Sequence, residues 1–366
     1  MNRNIFSNSR TWFFRAFILI AFSSLASWCT NTSSSERPVD DIVFNPKITL
    51  IAGSLTEYGS VTNTSGVNAR FSGLTKLALD TRDGRTILYA IDQSDADLRI
   101  IEGDKVKTIS NIVGVYALAQ GLCLAPGGAG NIYITSGYGQ LVQFDINKPF
   151  NDKTNPQVII ERNAANGTIN GVGGTHGLAT APNGDIYLGN SYYNTITRYN
   201  FNTKTIVPFA GVPLVKMSDE IPAFTDGDAL NKAIFGGVAD IAINRDGKIY
   251  VADKNYRTIR EIDNGKVKAL FPPSPYSYPN YVQPSVDGSL VKVKSGMIHY
   301  IAIPANDNNR IFFATSGALR VILLDAKKVI TIAKFKEGIH GLAVSADGKT
   351  IYAARGYGIV KIELDK

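Results

Sequence analysis

The 366-residue chain contains only three histidines, and each stands in the same local setting. His176 precedes Gly177-Leu178-Ala179, His340 precedes Gly341-Leu342-Ala343, and His299 precedes Tyr300-Ile301-Ala302. Thr75, Gln120 and Ala239 hold the matching place ahead of three further segments of this kind, and Asp240 follows directly on Ala239. Neutral imidazole is a common metal ligand, and three histidines around one open position make a catalytic zinc arrangement. Convergence of His176, His299 and His340 would give a centre for a divalent metal such as zinc. Held apart, the same three side chains would be polar lining of a wet channel. Either reading requires elements that bring Thr75, Gln120, His176, Asp240, His299 and His340 to one mouth.

Other conspicuous residues carry less chemistry. Cys123 replaces a small alanine of the other copies and reads as core filler, not as a nucleophile. Gly171-Val172-Gly173-Gly174 opens no helix, so it does not read as a phosphate cradle. A connection holding four prolines also carries Tyr276, Tyr278 and Tyr281. Stiff backbone and large amphipathic rings suit either an interaction loop or a self-packed cover.

The elements that must position these residues come from an internal repeat. One phrase recurs: a small apolar strand, a Gly-containing turn, then a strand with an aromatic after an aliphatic. The aromatic markers are Tyr89, Tyr133, Tyr187, Tyr250, Phe312 and Tyr352, 40 to 63 residues apart. Asp83-Gly84, Asn183-Gly184, Asp246-Gly247 and Asp347-Gly348 supply the turns, because these residue types accept the positive φ of tight hairpins. Two more β-type segments follow each marker, so each repeat predicts one four-stranded antiparallel blade. The sixth repeat runs out after Ile359–Leu364, one strand short, while Ile48–Gly53 stands unassigned at the other end and echoes Thr205–Gly211. The fold expected is therefore all-β: a six-bladed β-propeller over residues 47–366, its last blade closed by the N-terminal strand 48–53.

Residues 1–28 hold Arg3, Arg10 and Arg15, no acid, and an apolar run from Ala16 to Ala26. This run is short for a membrane span and suits a signal peptide. Cys29 and a Ser-rich polar stretch follow, and residues 29–46 read as a tether. Leu25-Ala26-Ser27-Trp28-Cys29 resembles a bacterial lipobox, with Trp28 and the upstream placing of Leu25 as departures. That resemblance implies lipidation of Cys29, membrane attachment through the lipid, and a location facing periplasm or cell surface. The alternative is ordinary cleavage after Ala26.

The phrase Asp226-Gly227-Asp228-Ala229, Ala233-Ile234-Phe235, Asp246-Gly247-Lys248-Ile249-Tyr250-Val251-Ala252-Asp253 and Asn255-Tyr256-Arg257-Thr258-Ile259-Arg260 resembles the NHL-repeat family. Ala52-Gly53 and Ala69-Arg70-Phe71 carry it into the first repeat. The resemblance implies the propeller fold and, for Asp253, Asn255, Arg257 and Arg260, structural roles in turns and in charge pairing between blades. More distantly, the histidine contexts resemble the zinc site of peptidyl-hydroxyglycine amidating lyases. Gluconolactonase-like propellers are a further likeness, although His176 and His340 stand where those enzymes use an Asn-Gly-Leu context. The net charge of +7 falls to +4 beyond residue 28 and shows no basic stripe, so nucleic acid is not the expected partner. The function expected is a binding module for a protein, peptide or glycan, with a metal-dependent lyase or hydrolase as the alternative.

Overall fold

In the computed structural model, the described residues are 42–365, apart from 62, 95–96, 111, 113–118, 127–129, 138, 149–154, 162–173, 214–222 and 275–284. Cys29, Tyr276, Tyr278 and Tyr281 lie outside them. The described residues fold into six antiparallel sheets arranged as a six-bladed β-propeller. The innermost strands are Leu74–Arg82, Ala119–Leu124, Thr175–Thr180, Val238–Ile243, Ile298–Ala302 and Ile339–Val344, for blades 1 to 6 in chain order. Each touches the next, and the sixth touches the first. Blades 1 and 4 therefore face one another across the axis.

The core is divided among the interfaces between blades. Tyr89 packs in a cluster joining blades 1 and 2, and Tyr133 in one joining blades 2 and 3. Tyr187, Tyr250, Phe312 and Tyr352 do the same at the four remaining interfaces. All six markers are buried. Strand alternation explains this arrangement: one face of every sheet must cover the opposite face of its neighbour, so both faces are apolar.

Closure follows the sequence expectation. Lys47–Ser54 pairs antiparallel with Tyr357–Glu363, the third strand of blade 6, with a register shift between Leu50 and Ala52. Ile42 and Phe44, read from sequence as part of the polar tether, pack against the cluster between blades 5 and 6. The folded unit thus begins a few residues before the donated strand.

Three blades exceed four strands. Thr64–Ser65, Gly227–Asp228 and Gly288–Ser289 each add a two-residue strand to the outer edge of blades 1, 4 and 5. Gly227 and Gly288 sit at φ 131° and 141°, a region that side chains rarely enter. Buried arginines hold these edge segments. Arg260 reaches Asp226 at 2.6 Å and Asp253 at 3.2 Å, and donates to the carbonyls of Thr225 and Ile234. Arg320 binds Asp287 at 2.8 Å together with the carbonyls of Val286 and Lys294. The Asp253–Arg260 pair thus joins strands of one blade to its own incoming segment, where pairing between blades was expected.

Candidate functional site

The mouth residues owe their orientation to one repeated irregularity. In all six blades the register between the first and second strands shifts at the same place. The shifts fall between Leu74 and Lys76, Ala119 and Gly121, Thr175 and Gly177, Val238 and Asp240, Ile298 and Tyr300, and Ile339 and Gly341. The unpaired residues are therefore Thr75, Gln120, His176, Ala239, His299 and His340, the six positions matched in the sequence. A bulge of this kind re-aims a side chain away from the sheet face and is common at sites.

Thr75, Gln120, His176, Ala239 and His299 line one cavity of about 600 Å³. His340 lines an adjoining cavity of about 610 Å³, and Thr75 and Gln93 belong to both. The structure thus brings all three histidines to one mouth. It does not gather them into a metal centre: among the described residues no three His, Cys, Asp or Glu groups stand close enough to hold an ion. The physical reason is their blade placement. His176 projects from blade 3, while His299 and His340 come from adjacent blades 5 and 6, so two cavities divide the set.

Burial lowers the pKa of each histidine. Lys76 and Lys254 lower His176 further, and Lys254 and His340 help to bring His299 down to about 4. The Oγ of Ser316 lies 3.4 Å from Nε2 of His299. At neutral pH these imidazoles are uncharged hydrogen-bonding groups.

One residue deeper along each inner strand lie Lys76, Gly121, Gly177, Asp240, Tyr300 and Gly341. Lys76 of blade 1 forms a buried ion pair with Asp240 of blade 4, crossing the channel beneath the mouth. Asp240 also accepts the backbone N–H groups of Ile241 at 2.9 Å and Ile301 at 3.2 Å. Burial raises the Asp240 pKa, with Lys76 and the two N–H groups opposing. The Lys76 ammonium lies 5.6 Å from the centre of the Tyr300 ring. The glycines at this level let neighbouring strands close in: a Cβ at Gly177 would come within 3.1 Å of the Asp240 backbone.

Sequence reading missed the wall of the bowl. Gln93, Ser191, Tyr192, Lys254 and Asn255 also line the first cavity. Each follows the second strand of its blade, so alignment of the turns after the aromatic markers would have found them. Asp253 holds Gly236 and Gly237 through their N–H groups at 3.0 and 3.1 Å, and Asn255 donates to the Gly236 carbonyl at 2.6 Å. Cys123 is buried, and burial raises its thiol pKa, in keeping with core filling.

No protein-family model matches the chain, and no curated protein matches it in sequence. Solved structures match its fold. An auxiliary nutrient-binding protein from Bacteroides thetaiotaomicron VPI-5482 is 14% identical, covering 88% of this chain and 77% of its own, with a TM-score of 0.63. A gluconolactonase-like protein is 12% identical over 87% of this chain and 98% of its own, with a TM-score of 0.53. Virginiamycin B lyase from Staphylococcus aureus is 13% identical over 88% and 99%, with a TM-score of 0.51. At these identities the likeness is one of fold, and the chain stands among the six-bladed β-propellers.

Proposed function

We propose that this chain is an exported, lipid-anchored propeller of the NHL-repeat type that binds a glycan or peptide at its channel mouth. One observation carries the binding reading: a bulge recurs at the same position in all six blades and turns five polar side chains toward one mouth. A bulge interrupts a ladder that would otherwise be complete, and here the interruption supplies hydrogen-bonding groups around a concave site. The cross-channel ion pair beneath them gives a bowl with a floor, which suits holding a ligand more than passing one through.

The Asp226–Phe235 and Asp246–Arg260 phrases support the NHL type. Cys29 and the apolar run before it support export and lipid attachment, with the propeller facing periplasm or cell surface. That one structural neighbour is an auxiliary nutrient-binding protein agrees with a ligand-binding role. The metal-dependent alternative needs a ligand cluster that the described residues do not form.

The reading is tested by equilibrium binding of glycan and short-peptide collections to the mature protein and to a Gln120→Ala/His176→Ala variant. Saturable binding that the variant weakens tenfold or more is expected. Binding that survives the variant unchanged would place the ligand elsewhere on the propeller.

A further inference from the structure

Charge is matched unevenly across the two mouth cavities. Lys76 in the first is paired with Asp240, and Glu337 in the second with Arg355 at 2.8 Å. Lys254 differs. It stands on the turn after the second strand of blade 4, fixed through its backbone to Gly237 and Arg257. Among the described residues no carboxylate pairs with its ammonium, and none lines the cavity that it enters. His176 and His299 line the same cavity, and the charge of Lys254 disfavours protonation of both. An unmatched ammonium beside uncharged imidazoles is a seat for one anionic group.

The remaining lining narrows the ligand. Gln93, Gln120, Asn194 and Asn255 present amides, and Tyr192, a residue 42% exposed, presents a ring. Thr75 Oγ1 and Gln120 Oε1 are buried without a hydrogen-bond partner in the protein. A buried acceptor left without a donor is unfavourable, so an occupant that supplies hydroxyl donors is favoured. Amide and hydroxyl groups with a flat amphipathic ring match the alternating hydroxyl edges and C–H faces of sugars. Peptide grooves draw instead on free strand edges or apolar side-chain pockets. At this mouth the inner strands pack on neighbouring blades, and the first cavity is lined mainly by polar groups. The second cavity, reached past Thr75 and Gln93, adds Leu55 and Tyr357.

We propose that the mouth binds an acidic oligosaccharide, one uronate carboxylate seated at Lys254 and the adjoining sugars running past Thr75 and Gln93 into the second cavity. This rests on the binding reading above and gives that site its ligand class. The carboxylate sets which sugar enters the first cavity, and the shared wall sets the need for more than one unit.

Calorimetric titration of the mature protein tests the proposal, with trigalacturonate, triglucuronate, the galacturonate monomer, neutral galactotriose and triglutamate as probes. At least one uronate trimer should bind, tenfold or more tighter than galactotriose and tenfold or more tighter than the monomer. Its affinity should fall as salt is raised. Lys254→Gln should remove most of the preference over galactotriose without moving the melting temperature, and Lys254→Arg should restore part of it. Galactotriose bound as tightly as the uronates, or an unaltered preference in Lys254→Gln, would overturn the acidic-sugar proposal. Triglutamate bound most tightly would also overturn it in favour of an acidic peptide. In each of those cases, loss of binding in Gln120→Ala/His176→Ala would leave the mouth as the binding site. Failure of every probe and of the wider collections would remove both readings.

Discussion

At the scale of single residues, the ion pair crossing the channel is the most exposed to test. Removing one partner of a buried pair strands the other charge and costs about 3–5 kcal/mol, whereas neutralising both is far milder. Lys76→Met should therefore destabilise the protein by about that amount in chemical denaturation. Adding Asp240→Asn should recover part of the loss, because no charge is then stranded and its one side-chain oxygen still accepts one of the N–H groups that Ile241 and Ile301 donate to the carboxylate. A double variant as unstable as the single one would show that the pair is not what links blades 1 and 4. The histidines give a second test. NMR titration should place the His299 midpoint near 4, below its ordinary 6.5, and Lys254→Gln should raise it. The linkage sign follows: between about 6.5 and 4 the unfolded chain binds the proton that folded His299 refuses. The stability contributed by His299 is thus full above 6.5 and is lost as pH falls through that window. His299→Gln should flatten this part of the pH profile, and a profile unchanged by the substitution would contradict the burial of the ring.

At the scale of elements, the N-terminal strand closes the ring with seven residue pairs against the third strand of blade 6. Each ladder bond contributes on the order of 1 kcal/mol net, and total stability of a domain is about 5–15 kcal/mol. Deleting residues 29–41 should leave the melting temperature nearly unchanged. Extending the deletion through Gly53 removes the strand together with Ile42 and Phe44, and should abolish cooperative unfolding or produce aggregation through the bared edge. Equal melting of the two truncations would sink the closure argument. The added strands at Gly227–Asp228 and Gly288–Ser289 make the same point at other edges. Natural sheets rarely leave a long outer strand uncovered, and here buried arginines hold the cover in place.

At the scale of the whole molecule, the proposed export and anchoring would set where the mouth meets its ligand. Cys29→Ser should abolish lipid labelling and release soluble mature protein, since two acyl chains hold a protein firmly and the Ser-rich tether has no apolar face. Membrane retention unchanged in the variant, with no lipid mass on Cys29, would end the anchor while leaving export intact.

The blade count, the markers and the donated strand were legible in the sequence because propeller repeats are local. Each Asp-Gly or Asn-Gly turn, each aliphatic–aromatic pair and the missing last strand follow from residues close together in the chain. Thr75, Gln120, His176, His299 and His340 were legible as mouth residues for the same reason, whereas Asp240, expected at the mouth, is buried one residue deeper in the pair with Lys76. What the sequence could not decide was distance across that axis. Whether His176, on blade 3, approaches His299 and His340, on blades 5 and 6, depends on how the six inner strands pack around the axis. Three glycines one residue deeper let strands close in, while Lys76, Asp240 and Tyr300 fill the channel. That choice of plug, made by residues 164 apart in the chain, closed the channel beneath the histidines and left a bowl with an unmatched lysine. Only the packed ring could set it.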